Sequence, residues 1–299
     1  MKLQSRLFLL VAAALAPMVV FATVAALMLL QHERETMERD AIGRARSAMS
    51  AVDTHLRGSI ASLETLAASK NLETGNIAAF HAESQRVLRT QPGWVNIGLT
   101  SGSKIQLANA VYAFGKPEPL IAADDGLDAV VRTARPGIGG VAAGNVVTSP
   151  TVRVRVPVSY GEEVRYVISA PLNLKQLAAL LEAQRLPEDW VITLVDREKR
   201  VIARIPAVPT GLQESESYRE AMGRSPEGWF QGRAIDGRST YTPYVTSELS
   251  GWVLAIGIPA SAVEAGAQRT FTILGAGVIL ALALGALLAL MIAGRISPP

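Results

Sequence analysis

The 299-residue sequence predicts an α+β protein: a long N-terminal helix, then two tandem antiparallel sheets with flanking helices, all between two transmembrane helices. Three observations support this prediction. Long uncharged segments lie near both ends of the chain, and apolar residues follow a helical spacing after the first of them. Short β-like runs, separated by turn residues, then occur in two sets.

The two uncharged segments cover residues 7–30 and 271–293. Each reaches the length of roughly 20 residues with which a helix crosses a bilayer core. Lys2 and Arg6 precede the first segment, and Arg295 follows the second. Because positive residues favour the cytoplasmic side, both termini are predicted to be cytoplasmic.

Residues 31–269 are then expected to lie on the other, extracytoplasmic side of the membrane. A cleaved signal peptide is the alternative for the first segment, but its apolar run exceeds the usual core of about 7–15 residues. All 26 acidic residues lie between the two segments, and the net charge of +3 comes from their flanks. The region between them has no basic stripe with interleaved aromatic residues, so a nucleic-acid partner is not expected.

A stalk helix is predicted over residues 31–72. Its apolar and small residues recur at alternating spacings of three and four, which places them on one helix face. This seam comprises Ile42, Ala45, Met49, Val52, Leu56, Ser59, Leu63 and Leu66. It can pack on its own domain or pair with a second copy. The sequence predicts both, one for each half, with a homodimer formed through the membrane-near half of the stalk helix.

Helical and β-like patterns then alternate along the chain. Helices are predicted over residues 76–90, 124–134, 174–184 and 217–222. The first set of strands is predicted over residues 94–100, 104–109, 152–158 and 164–170. The second set is predicted over residues 190–196, 200–205, 228–235, 239–246 and 252–258. Asp236-Gly237, inside the second set, is the strongest hairpin signal.

The two sets of strands share landmarks in the same order. Trp94 is followed 11 residues later by Ile105, and Trp190 is followed at the same spacing by Val201. Such similarity can arise by chance, but the matching order favours a tandem duplication. The predicted divisions are 1–30 (cytoplasmic start and first span), 31–72 (stalk), 73–186 (membrane-distal unit), 187–268 (membrane-proximal unit), 269–294 (second span) and 295–299 (linker start).

This arrangement resembles the double Cache, or tandem PAS-like, sensor regions of bacterial receptors. The segments 91–97 (QPGWVNI) and 184–190 (QRLPEDW) resemble segments of membrane histidine kinases, and 249–259 (LSGWVLAIGIP) is similar to the closing strand before the return helix. The resemblance implies an extracytoplasmic small-molecule sensor of a transmembrane signal-transduction receptor, of histidine-kinase type. A chemoreceptor or cyclase-type receptor is the alternative. Residues 294–299 resemble the start of a HAMP linker, so the output domain is expected to be missing from this chain.

The sequence predicts no enzymatic activity for this chain, no cofactor and no metal. His32, His55 and His81 have no partner at metal-ligand spacing. The glycine-rich run 137–140 lacks the lysine of a phosphate-binding loop. A doubly anchored interaction protein and an anchored hydrolase with a carboxylate pair remain the alternatives from other functional classes.

One predicted strand separates arginines from valines. Val152, Val154 and Val156 share one face of the strand, and Arg153 and Arg155 share the opposite face. If the polar faces of neighbouring strands coincide, two guanidinium groups and two amides converge, as needed to hold a small anion. The candidate ligand-binding residues are therefore Asn96, Asn109, Arg153 and Arg155.

An exposed, solvated face is the alternative interpretation of the two arginines. The resemblance implies a ligand in the membrane-distal unit. The Arg-x-Trp-Tyr run of amino-acid-binding Cache domains is absent from this sequence. The expected ligand is therefore a small anionic or polar metabolite, with amino acids not favoured over others.

Overall fold

The computed structural model describes residues 3–115, 125–142 and 149–296. The chain divides into two compact units, Ala41–Ile258 and the two terminal segments Met1–Asp40 and Pro259–Pro299. Helix α1 (Leu3–Ala67) begins in the terminal unit and continues into the larger one, whereas helix α7 (Ala260–Ile296) lies in the terminal unit.

Within the part of the chain that the structure describes, no helix contains a segment long and apolar enough to cross a membrane. The side chains of residues 3–16 and of several residues in 265–296 lie outside the described set. The two membrane spans therefore remain predictions.

The larger unit contains five further helices and ten described strands. The helices are α2 (Lys70–Glu73), α3 (Ile77–Thr90), α4 (Asp125–Thr133), α5 (Leu174–Glu182) and α6 (Glu216–Arg224). Five strands form the first sheet: β1 (Gly98–Ser101), β2 (Gln106–Asn109), β3 (Gly137–Ile138), β4 (Arg153–Tyr160) and β5 (Glu163–Pro171). Five more form the second: β6 (Val191–Val195), β7 (Val201–Ile205), β8 (Glu227–Arg233), β9 (Ser239–Thr246) and β10 (Val253–Pro259).

The two sheets have the same strand order. It is β2-β1-β5-β4-β3 in the first sheet, called here the distal sheet, and β7-β6-β10-β9-β8 in the second, the proximal sheet. Each strand of one sheet therefore has a counterpart at the same place in the other. The predicted α+β fold with two tandem antiparallel sheets is confirmed, and the shared order agrees with a duplication.

Strand β3 was missed by the sequence analysis. It consists of Gly137 and Ile138 alone, and two residues are too few to show alternation. Pro136 and Gly137 were instead interpreted as marking the end of a helix. Helix α4 does end just before them, at Thr133. The stalk helix, predicted to continue to residue 72, ends at Ala67 and is followed by the separate helix α2, whereas the remaining strands and the helices α3 to α6 lie close to their predicted limits.

The apolar seam of α1 is buried within its own chain. Met49 is 3% exposed and Val52 is 0% exposed, as fully buried as Leu56. The membrane-near half of the seam was expected to pair with a second copy. That expectation is wrong for this face, because the same chain already covers it.

Polar contacts along α1 join it to both sheets. Trp94, which precedes β1, donates its indole N–H to Ser59 Oγ over 3.2 Å. Asp53 lies nearer the N-terminus of α1 than Ser59. Its Oδ1 accepts a hydrogen bond over 2.7 Å from the hydroxyl of Ser247, which lies just after β9. Arg46 pairs with Glu227 of β8 at 2.8 Å. The helix therefore packs along both copies, which explains why the seam is buried from Ala45 to Leu66.

A buried contact joins the two copies directly. The backbone N–H of Val141, just after β3, donates to Asp196 Oδ2 over 2.9 Å. Asp196 follows β6 and also pairs with Arg200 at 2.8 Å. Gly140 lies so close to this pair that a Cβ placed on it would be 2.8 Å from Asp196 Oδ2. The end of β3 is thus held against the turn between β6 and β7.

Candidate ligand-binding site

A row of residues crosses four strands of the distal sheet. Arg155 on β4 is opposite Ser169 on β5, Ser169 is opposite Gly98 on β1, and Gly98 is opposite Asn109 on β2. Residues directly opposite one another in antiparallel strands face the same side of a sheet. The guanidinium, the hydroxyl and the amide of this row therefore belong to one face, as the alternation in β4 predicted.

Arg155 is buried rather than solvated. It is 3% exposed, and its Nη1 lies 3.1 Å from the position that a Cβ on Gly139 would take. Arg153 lies on the same face, two residues along β4, and is half-buried. A charge removed from water must be compensated by nearby polar groups. The solvated-face interpretation is therefore wrong for Arg155.

The valines of the same strand lie on the other face, as predicted. Val152 and Val154 are fully buried, and Val156 is nearly so. They line up with Ile168 and Ala170 of β5 through the strand register. This apolar face is part of the core, so the opposite face is the one that can hold a polar ligand.

Asn109 is held in place at the end of β2. Its Oδ1 accepts a hydrogen bond from the backbone N–H of Val111 over 3.0 Å. His81 Nε2, on α3, lies 3.1 Å from the carbonyl of Asn109 and 2.9 Å from that of Tyr112. Because both partners are carbonyl oxygens, Nε2 carries the proton and donates. His81 thus joins α3 to the end of β2.

Asn96 is buried with an unsatisfied acceptor. It is 4% exposed, and its Oδ1 has no hydrogen-bond partner among the described residues. Leaving a buried acceptor unsatisfied costs about 1–3 kcal/mol. A bound polar molecule with a suitable donor would remove that cost.

The backbone before β1 departs from simple alternation. Trp94 bridges to Leu172, whereas Gly98 pairs with Ser169, so the β1 side contains one extra residue between these two pairings. Such a bulge moves the following side chains to the other face. Trp94 and Gly98 therefore face opposite sides of the sheet. Trp94 is a buried core residue.

The space over the middle of the row is open. A Cβ placed on Gly98 would meet no heavy atom of the described residues within 4 Å. Gly98 lies between Ser169 and Asn109, so this space is flanked by their polar side chains. No sequence pattern indicated that Gly98 would lie beneath this space.

Helix α4 forms an apolar border of this face. Leu127 and Val130 of α4 pack with Val167 of β5 in one buried cluster. Val167 is two residues from Ser169 in the strand and therefore faces the same side. Residues 116–124, which connect β2 to α4, lie outside the described part of the chain.

The same face of the proximal sheet is filled. A Cβ placed on Gly257 of β10 would lie 3.1 Å from the Tyr218 hydroxyl, and the Tyr218 ring belongs to the core beneath α6. The Tyr218 hydroxyl is 2.8 Å from Thr240 Oγ1 and accepts from Thr242 Oγ1 over 2.9 Å. Burial raises the pKa of Tyr218, so it stays a neutral hydrogen-bonding group. Among the described residues, nothing fills this position over Gly98 in the distal sheet, whereas Tyr218 fills it over Gly257 in the proximal sheet.

No protein-family model and no curated protein matches the sequence. Solved structures do match the fold. The extracellular domain of a protein assigned as a histidine kinase is 16% identical with a TM-score of 0.58, over 79% of this chain and 98% of that one. The chain shares the fold of this domain, in agreement with the fold that the resemblance to double Cache regions implied.

Two chemoreceptor domains are similar as well. The ligand-binding domain of the Pseudomonas aeruginosa amino acid chemoreceptor PctB, in complex with L-Arg, is 14% identical with a TM-score of 0.58, over 76% of this chain and 97% of that one. The ligand-binding domain of the Pseudomonas fluorescens chemoreceptor CtaA, in complex with L-isoleucine, is 12% identical with a TM-score of 0.61, over 79% of this chain and 97% of that one.

Proposed function

We propose that the chain is the extracytoplasmic small-molecule sensor module of a transmembrane receptor, of histidine-kinase type. Its ligand binds on the open face of the distal sheet, in the unit over residues 73–186. The observation that carries this proposal is the row from Arg155 through Ser169 and Gly98 to Asn109, with open space over Gly98. The counterpart space over the proximal sheet, in residues 187–268, is occupied by the protein itself.

The groups around this space indicate the chemistry of the ligand. Arg153 and Arg155 supply guanidinium donors, which bind carboxylates well. The Oδ1 of Asn109 is already used by Val111, so its amide nitrogen is the group that can donate. Asn96 Oδ1 supplies an acceptor. This set suits a small metabolite that carries an anionic group and a hydrogen-bond donor.

Amino acids carry both of these groups, and two of the similar domains were solved with L-Arg and L-isoleucine bound. Hydroxy acids carry both groups too. A test panel should therefore contain amino acids, hydroxy acids and simple mono- and dicarboxylates.

Thermal unfolding of the full chain tests the proposal. A ligand present at 100 times its dissociation constant adds about 2.7 kcal/mol to stability and raises Tm. Arg155→Ala should weaken binding of that ligand roughly 10- to 150-fold, because losing one charge-assisted hydrogen bond costs about 1.5–3 kcal/mol.

Two outcomes would count against this function. If no member of the panel raises Tm, the passive interaction protein becomes the better account. If a ligand binds Arg155→Ala and Arg153→Ala as tightly as the parent protein, the ligand binds elsewhere.

We also propose that residues 7–30 and 271–293 anchor the chain in the inner membrane, with residues 31–269 in the periplasm. The support is the position of Lys2, Arg6 and Arg295 beside the two uncharged segments. Reporter fusions after Arg34 and after Pro299 should report opposite compartments. The same compartment for both would contradict this topology.

A homodimer through the stalk is also proposed. Because the seam is buried in the chain, the dimer must use the exposed side of α1. Ser47, Ser50, Thr54, Arg57 and Ala61 lie on that side and recur at spacings of three and four.

A further inference from the structure

The proximal sheet has its own row of residues in the place of the distal row. Ala255 on β10 is opposite Thr193 on β6, and Thr193 is opposite Arg204 on β7. Since β10, β6 and β7 are the counterparts of β5, β1 and β2, this row corresponds to Ser169, Gly98 and Asn109. A cationic side chain, Arg204, therefore lies where the distal row has Asn109.

Arg204 is completely enclosed. Its side chain is 2% exposed, and Nη1 donates to Thr193 Oγ1 over 3.2 Å and to Glu214 Oε1 over 3.3 Å. Asp236 Oδ2, at the more exposed end of the network, lies 3.7 Å from Nη2. The Arg204 guanidinium thus binds the Glu214 carboxylate and the Thr193 hydroxyl in the way that it would bind an anionic ligand.

The carboxylate that Arg204 holds comes from a connection and not from a strand. Glu214 precedes α6, and its side chain is 0% exposed. Its backbone N–H donates to the carbonyl of Lys199 over 3.1 Å, and its Oε2 accepts from the backbone N–H of Ser215 over 3.2 Å. Both carboxylate oxygens therefore have partners, and the connection that carries Glu214 is fixed against the sheet.

We infer that the proximal module contains an anion-binding site, formed by Arg204 and Thr193, whose carboxylate ligand is the chain's own Glu214. The chemical class that the site accepts is a small carboxylate. With Glu214 in place, the membrane-proximal unit binds no external metabolite at this position. This inference rests on the contacts of the proximal sheet and does not depend on where the distal ligand binds.

Removing the carboxylate should expose the site. Breaking a buried ion pair by deleting one partner is strongly destabilising, because the remaining charge is left uncompensated. Glu214→Ala removes the nearer carboxylate, leaves only the more distant Asp236 beside Arg204, and leaves space where the Glu214 carboxylate was. Glu214→Gln is the matched control, since the amide is neutral but fills the same volume.

The probe is sodium acetate, compared with sodium chloride at the same ionic strength. The readout is thermal unfolding of the full chain, followed by tryptophan fluorescence. Acetate should raise the Tm of Glu214→Ala, and the rise should saturate as the acetate concentration increases. The parent protein and Glu214→Gln should have the same Tm in acetate as in chloride. The double variant Arg204→Met with Glu214→Ala should show no acetate-specific rise, because the cation is absent.

If Glu214→Ala is unfolded in chloride, its folded fraction after refolding in increasing acetate is the readout, and acetate should restore it. The inference is overturned by equal acetate effects on the parent and Glu214→Ala, or by equal effects on Glu214→Ala and Glu214→Gln. Rescue that persists in the double variant, or a complete lack of rescue in Glu214→Ala, would overturn it as well.

Discussion

The two polar faces differ in what lies above a glycine of each sheet. Gly98 has empty space above it among the described residues, whereas the space above Gly257 is occupied by the Tyr218 hydroxyl. Ser169 and Asn109 flank Gly98 from the neighbouring strands, and Asn96 Oδ1, just before β1, is buried with no described partner. A buried acceptor without a partner is rare in folded proteins, which makes Asn96 the residue that most directly indicates a ligand.

His55 gives a prediction about pH. Its Nε2 is buried without a hydrogen-bond partner among the described residues, and burial lowers its pKa from the ordinary value of 6.5. Between the lowered folded pKa and 6.5, the unfolded chain binds more protons than the folded one, so stability rises with pH across that window. When the pH falls from about 8 to about 5, the Tm of His55→Gln should therefore decrease less than the Tm of the parent protein.

Thermal unfolding at a series of pH values measures this difference. The other titrating groups are common to both proteins and cancel in the comparison. Equal losses of Tm in the parent and in His55→Gln would show that His55 is not the group responsible.

Strand alternation allowed the two faces of β4 to be predicted from sequence, because period-two patterning is a local property. It could not show that Arg155 lies in register with Asn109, since that register depends on strands distant in the chain. The extra residue between Trp94 and Gly98 is also invisible to a pattern that assumes regular pairing. Glu214 was missed because it lies in a connection, where no periodicity marks a buried residue.

Helix α1 shows how a correct pattern can be assigned the wrong partner. The seam over Met49 and Val52 was correctly predicted as a buried face, but its cover is the same chain. A heptad-like spacing indicates that a helix has an apolar face, and it does not identify what packs there. Only the fold shows that both sheets lie along the stalk.

The exposed side of α1 leads to a prediction about the dimer. Cysteines at Ser47 or Thr54 should cross-link between two copies, because these positions are exposed and lie on one side of the helix. Cysteines at Met49 or Val52 should cross-link poorly, since both residues are buried in the chain. Equal cross-linking at the four positions, measured in membranes, would contradict a dimer through the exposed side.

Across the molecule, two copies of one sheet have taken different chemical roles. In the distal copy, polar groups flank a space over Gly98 that none of the described residues fills, whereas the proximal copy closes its polar face with Tyr218 and the Arg204–Glu214 pair. The copies are in direct contact, since Val141 beyond β3 donates to the buried Asp196 beyond β6. The duplicated fold was predictable from shared landmarks, but the difference between the copies depends on side chains that no landmark includes.

Calorimetry on the full chain tests the location of the ligand most directly. The panel member with the largest Tm shift should bind the parent protein at one molecule per chain. Gly98→Leu should keep the parent's unfolding behaviour, because its Cβ meets no described atom, and should lose binding because its side chain fills the space. Gly58→Leu is the matched control, since Gly58 is exposed on α1 and its Cβ also meets no described atom.

The account predicts one site in the parent and in Gly58→Leu, and none in Gly98→Leu. Binding of the ligand to Gly98→Leu with the parent's affinity, or two molecules per chain in the parent, would contradict it.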